Sequence, residues 1–247
     1  MTYKEFINTD YIKVLEQLHK EKKLLKDLID SKQINEPLII ELSGLPRTGK
    51  TTSCEQLYDF FKKGGFKIYK TEEPTYSIKK SLNLNELRNM RNVEFNDKTL
   101  EICRNNLLLS KNTGSDIIIM DRGIIDNYFW YQLYYEKGLI DDITYNEYLV
   151  QLKKDLKFLD QLFLLTALPI EILNRDFNNS IYLEQRNKTN LKNINQLVNA
   201  YNNLEKEIQD NFSDIVKIDT TLLTPRDTSI LIAERSIKAY QKKLTKK

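Results

Sequence analysis

The chain has 247 residues, 40% hydrophobic and 30% charged, which is enough to bury a substantial core and too apolar for a disordered polyelectrolyte. Its 38 basic and 35 acidic residues leave a net charge of +3, which gives no ground for expecting a nucleic-acid polymer or a membrane surface as partner. A single histidine, His19, and two cysteines, Cys54 and Cys103, exclude clustered zinc ligands, a disulfide framework and a Ser-His-Asp triad in the main body; free thiols at this density suit a reducing cytoplasm.

In residues 3–33, Tyr11, Ile12, Leu15, Leu18, Leu24, Leu25, Leu28 and Ile29 recur at spacings of three and four, which predicts a helix with one packed face. Charges interrupt the apolar residues every few positions, so neither a signal peptide nor a membrane span is expected. This N-terminal helical extension, residues 1–36, suits packing or homodimerisation, and His19 lies on it.

Residues 37–247 read as one domain in which strands and helices alternate. Leu38-Ile39-Ile40-Glu41-Leu42 is a short apolar strand, followed by a Gly-containing turn and a helix over 50–63, which Gly64-Gly65 closes. Phe66–Tyr69 is a second strand ending at Thr71-Glu72-Glu73-Pro74, and residues 84–112 are mostly helical. Asp116–Met120 is a third buried strand ending on Asp121-Arg122-Gly123, with helices expected at 125–137 and 143–157. Gln161–Leu165 is a fourth strand, Pro169 opens a helix, Ile215–Ile218 is a fifth strand, and 225–242 is the last helix. This alternation predicts an α/β fold of three layers, α/β/α, around a five-stranded parallel sheet.

The strongest chemical signal is Gly44-Leu45-Pro46-Arg47-Thr48-Gly49-Lys50-Thr51, a phosphate-binding loop of the form GxxxxGK[ST]. Its glycines let backbone N–H groups turn inward around a phosphate, and the following helix presents its positive end to the same anion. Lys50 can bridge the terminal phosphates of ATP, and the Thr51 hydroxyl can join Mg²⁺ coordination. The loop follows a buried strand and opens a helix, as that mechanism requires. Asp121, about 70 residues on and again at a strand end, has the usual position of a carboxylate that orients Mg²⁺.

The run Ser43–Thr52, with Gly44, Pro46, Arg47, Thr48, Gly49, Lys50, Thr51 and Thr52 as its phosphate-binding residues, resembles the loop of eukaryotic-type thymidylate kinases. Glu73-Pro74 is similar to the E-P of thymidylate and deoxynucleoside kinases, and Asp121-Arg122 to the D-R or E-R pair of both; order and spacing agree from about residue 38 to 220. The resemblance implies a P-loop (nucleoside triphosphatase) fold with ATP and Mg²⁺ as cofactors. It also implies that Arg47 reaches the migrating phosphoryl group, that Glu73 sits at the acceptor and serves as general base when the acceptor is a nucleoside, and that Arg122 holds the acceptor or its phosphate. Such kinases carry a mobile lid at the place of residues 175–192, where Arg186 and Lys188 could close over the nucleotide; a solvated polar loop has the same composition.

Two departures bear on the acceptor. Pro46 stands where this type of thymidylate kinase has an acidic residue, and Gly123 follows Asp121-Arg122 where the families have an aromatic residue or serine. Asp126 and Tyr128 suit an acceptor pocket of another shape, although Asp126 equally suits a helix cap. The expected function is phosphoryl transfer from ATP to a small acceptor, a nucleoside monophosphate or a deoxynucleoside. The competing expectation is a P-loop ATPase or nucleotide-dependent switch that acts on a protein partner through the N-terminal helix.

Overall fold

The fully buried run Leu38–Gly44 forms the middle strand, β1, of a parallel sheet. In the computed structural model, which describes residues 11–32, 36–81, 90–178 and 190–245, β1 lies between β3 (Ile117–Asp121) and β4 (Gln161–Thr166). β2 (Ile68–Lys70) and β5 (Ile215–Asp219) take the edges, giving the order β2-β3-β1-β4-β5 with every pair parallel. Leu42 stands opposite Asp121, and Gly44 opposite Leu165, so the phosphate loop and the third-strand aspartate leave the sheet side by side.

The twofold alternation of side chains divides the core in two. Ile39 packs with Ile118, Met120, Leu162 and Leu164 against one helical layer: α4 (Asn92–Lys111), α5 (Ile124–Glu136), α6 (Asp142–Asp155) and α8 (Leu191–Gln209). Leu38, Ile40 and Leu42 pack with Ile117, Ile119, Phe163 and Leu165 against the other: α1 (Tyr11–Lys32), α2 (Lys50–Lys62) and α9 (Pro225–Thr245). The three-layer α/β/α arrangement expected from the sequence is therefore the architecture of the chain.

α1 uses its apolar stripe on its own chain: Leu18, Leu25 and Ile29 are buried in the second core, each worth roughly 2 kcal/mol by burial. Lys22, buried on the same stripe, donates to the Phe60 carbonyl at 2.9 Å and lies 4.0 Å above the Phe60 ring; burial pushes its pKa down. His19 is exposed and packs at 5.5 Å on Phe60. Cys54 and Cys103 are buried and free, and the Cys103 sulfur accepts from the Asn127 side-chain amide at 3.4 Å.

The structure adds two helices that the sequence reading does not assign. α3 (Pro74–Ser81) starts at Pro74, whose missing N–H costs nothing in a first turn. α8 rises after α7 (Pro169–Asn178), and its buried Ile194, Leu197, Tyr201, Leu204 and Ile208 follow the helical period. Residues 175–178 and 191–192 of the expected lid are thus helical, while Arg186 and Lys188 lie outside the described residues. Among the described residues no helix is long and apolar enough to cross a membrane.

Candidate active site

The phosphate loop turns tightly where β1 meets α2. Gly44 has φ +143°, and a Cβ there would lie 2.1 Å from the Leu165 carbonyl oxygen, so no other residue fits beside β4. Gly49, at φ +88°, has open space around it and is required by its backbone conformation alone. Arg47 adopts φ +59°, and the Thr48 hydroxyl closes the turn by donating to the Leu45 carbonyl at 2.8 Å. Pro46 and Arg47 are half-buried, whereas Thr51 and Thr52 are exposed in the first turn of α2.

Lys50 is 4% exposed and folds its ammonium back on the loop, donating to the carbonyls of Gly44 at 2.8 Å and Leu45 at 2.5 Å. Burial, with Arg122 nearby, lowers its pKa to about 7 from 10.5, and Asp126, Asp121 and Glu73 work the other way. A phosphate bound beside Lys50 would raise that pKa again and favour the charged ammonium.

Asp121 ends β3, is 6% exposed, and has one buried oxygen, Oδ1, without a hydrogen-bond partner among the described residues. Burial raises its pKa, opposed by the Thr51 hydroxyl, Arg122 and Lys50. A hydroxyl beside a carboxylate with one orphaned oxygen suits a Mg²⁺ that keeps its remaining ligands from phosphates and water. Among the described residues no cluster of three or more His, Cys, Asp or Glu could hold a metal alone, so such an ion would depend on the nucleotide for ligands.

Arg122, also left-handed at φ +58°, is anchored through its N–H to the Leu42 carbonyl at 3.1 Å. Its guanidinium spans two carboxylates: Nη1 lies 3.0 Å from Asp126 Oδ2, and Nε 3.3 Å from Glu73 Oε1. Burial opposes its charge, but Asp126, Tyr201 and Glu73 hold the pKa above the usual arginine value. Glu73, at the end of the segment after β2, also accepts from the Thr75 hydroxyl at 2.9 Å, which fixes the carboxylate beside Arg122. The ends of β1, β2 and β3 thus bring Lys50, Glu73, Asp121 and Arg122 together.

The remaining expected residues take other positions. Arg47 pairs with Asp176 on α7 at 2.6 Å, and Arg175 donates to the Arg47 carbonyl at 3.3 Å and the Thr220 carbonyl at 2.6 Å, so α7 grips the outer side of the loop. Tyr128 is buried between Asp155, at 2.5 Å from its hydroxyl, and Arg104, at 3.0 Å; it ties α4, α5 and α6 together.

Two residues of the site, Glu41 and Tyr201, escape a sequence reading. Glu41, fully buried on β1, accepts from the backbone N–H groups of Ile125 at 3.0 Å and Asp126 at 2.9 Å and from the Ser43 hydroxyl at 2.6 Å. It caps α5 from inside the protein, and burial raises its pKa to about 7 against those three bonds. Gly123 makes room for it, since a Cβ there would lie 2.6 Å from Glu41 Oε2. Tyr201 of α8 stacks on Phe129 at 3.7 Å and brings its hydroxyl within 2.9 Å of the Gly44 carbonyl and 3.0 Å of Asp126 Oδ1. The one visible signal was a carboxylate inside an otherwise apolar strand.

No known family model matches the chain, and no curated protein does. Solved structures do resemble it. A deoxyadenosine kinase from M. mycoides, with the products dCMP and a flexible dCDP bound, superposes with a TM-score of 0.56 at 18% identity, over 82% of this chain and 100% of that one. The dCTP and dATP complexes of deoxyadenosine kinase from M. mycoides each give 0.53 at 17% identity, over 80% of this chain and 98% of theirs. At that identity the likeness is one of fold: the chain has the P-loop architecture of these kinases.

Proposed function

We propose that the protein is an ATP- and Mg²⁺-dependent kinase that transfers the terminal phosphoryl group of a nucleoside triphosphate to the 5′-hydroxyl of a deoxynucleoside. The observation that carries this reading is Glu73 held against Arg122, facing the phosphate-loop Lys50 across the carboxyl ends of the strands. Arg122 already carries two carboxylates, Glu73 and Asp126. A guanidinium so neutralised suits a neutral acceptor better than a monophosphate, whose added charge would face both carboxylates. The fold of deoxyadenosine kinases, whose solved complexes hold deoxynucleotides, supports the same acceptor class.

Each residue has work that positioning and charge neutralisation would do. The loop N–H groups and Lys50 hold the β- and γ-phosphates. Glu73 accepts the proton of the acceptor hydroxyl as its oxygen bonds to the γ-phosphorus and the bond to ADP breaks. Arg122 steadies Glu73 and the charge on the moving group, and Arg47 reaches that group on exchanging Asp176 for phosphate. Thr51 and Asp121 would hold Mg²⁺, which supplies charge neutralisation of the β- and γ-phosphates. Arg186 is the proposed lid contact to the nucleotide.

The test is a panel of deoxynucleosides and nucleoside monophosphates incubated with ATP and Mg²⁺, with ADP release followed. ADP release that requires a deoxynucleoside and disappears in Lys50→Ala supports the kinase. Release that ignores the acceptor favours an ATPase or switch, although Leu18, Leu25 and Ile29 of α1 are already committed to the second core.

A further inference from the structure

The Gly44 carbonyl, where the phosphate loop begins, has two donors within reach. One is the Lys50 ammonium at 2.8 Å and the other the Tyr201 hydroxyl at 2.9 Å. The same hydroxyl lies 3.0 Å from Asp126 Oδ1. A phenol has one proton to give, so it can serve Gly44 or Asp126 but not both. With Lys50 on the carbonyl, the Asp126 side chain, a stronger acceptor than a backbone carbonyl, receives that hydrogen bond. Lys50 cannot hold loop carbonyls and phosphates with the same hydrogens, so a bound nucleotide draws its ammonium away. The Gly44 carbonyl is buried and would then lose its donor.

We propose that Tyr201 is a two-position donor of the nucleotide site: its hydroxyl holds Asp126 while Lys50 serves Gly44, and turns to Gly44 when Lys50 leaves for the phosphates. The proposal rests on the kinase reading, since it needs a phosphate ligand to draw Lys50 away. The ring need not move, because stacking on Phe129 at an interplanar angle of 12° fixes it and only the C–O bond turns. Burial keeps the phenol protonated, with a pKa pushed well above its ordinary value. Asp126 remains bonded to Arg122 throughout, and its Oδ1 loses a donor each time the nucleotide site fills. Tyr201 thereby links the phosphate loop to the arginine on the acceptor side. It is a positioning residue, acting through Gly44 and Asp126.

A double-mutant cycle on the full chain tests it. The dissociation constant of Mg²⁺-AMPPNP is measured for the wild type, Tyr201→Phe, Lys50→Met and the double variant. Removing the hydroxyl from the wild type takes one bond from Asp126 in the free protein, where Arg122 still holds that carboxylate, and leaves the buried Gly44 carbonyl with no donor in the nucleotide complex; the second loss is the larger, and affinity falls about fivefold. In the Lys50→Met background that carbonyl depends on Tyr201 in both states, so removing the hydroxyl changes affinity less than about twofold. Equal losses in the two backgrounds, as a packing defect would give, overturn the proposal, as does no loss in either. Deoxynucleoside-dependent ADP release by the wild type alongside equal losses sinks the two-position donor and leaves the kinase; a wild type that binds no AMPPNP sinks both.

Discussion

Gly123→Ala is the most informative single perturbation of the site's framework. Gly123 precedes α5 at φ −100° and ψ −139°, and alanine there adds one methyl group. That methyl would meet Glu41 Oε2 at 2.6 Å, Glu41 Cδ at 2.8 Å and Met120 Cε at 2.9 Å. Met120 is flexible and can give way, whereas Glu41 is fully enclosed and held by the N–H groups of Ile125 and Asp126 and by Ser43. Overpacking costs about 1–3 kcal/mol, and loosening a charge-assisted bond adds about 1.5–3 kcal/mol. A total near 3 kcal/mol corresponds to a melting point lower by roughly 6–12 °C for a chain of this size. Shortening Glu41 to alanine removes the obstruction, so the cost of Gly123→Ala measured by urea unfolding in an Glu41→Ala background drops below about 1 kcal/mol. A Gly123→Ala protein as stable as wild type, or a cost unchanged without Glu41, would refute the account of the Asp121-Arg122-Gly123 turn.

Lys50, with a pKa near 7, is largely neutral at pH 8.5 in the free protein. Triphosphate raises that pKa, so Mg²⁺-AMPPNP binding at pH 8.5 takes up close to one proton; calorimetry in buffers of different ionisation enthalpy reads this as a positive slope, and a flat or negative slope contradicts it. The sign for stability follows the same shift. The folded pKa lies below the unfolded value of 10.5, so the cost of burying Lys50 is complete below pH 7 and fades as pH rises toward 10.5. Asp121→Asn removes a buried charge whose Oδ1 has no partner among the described residues, so the ligand-free protein melts at or above the wild-type temperature. The Mg²⁺ concentration for half-maximal turnover rises at least about tenfold in the same variant; an unchanged Mg²⁺ dependence would remove Asp121 from the metal role.

The phosphate loop was legible because its chemistry is local: glycine spacing, one lysine and one hydroxyl lie within eight consecutive positions, Gly44 to Thr51. The parallel sheet was legible for a similar reason, since buried strands such as Ile117–Met120 read as unbroken apolar runs. Glu41 was not, because the donors that justify a carboxylate inside β1 come from α5, more than 80 positions later. Tyr201 was hidden by distance as well: its partners, Gly44 and Asp126, lie 157 and 75 positions away. The departure at Gly123 stood out as a mismatch to related kinases, but only the folded chain gives its cause, which is the space that Glu41 occupies. Tyr128 illustrates the converse. A tyrosine near the Asp121-Arg122 pair looks like an acceptor contact, yet its hydroxyl is taken by Asp155 and Arg104.

Incubation of the wild type with Mg²⁺ and ATP labelled at the γ-phosphate, with deoxyadenosine, deoxycytidine, thymidine and their monophosphates as separate acceptors, tests the central claim most directly. Label recovered in a deoxynucleoside 5′-monophosphate, and lost on changing Glu73 to glutamine, is the predicted result. Label found only in inorganic phosphate, or only in a nucleoside diphosphate, would contradict it.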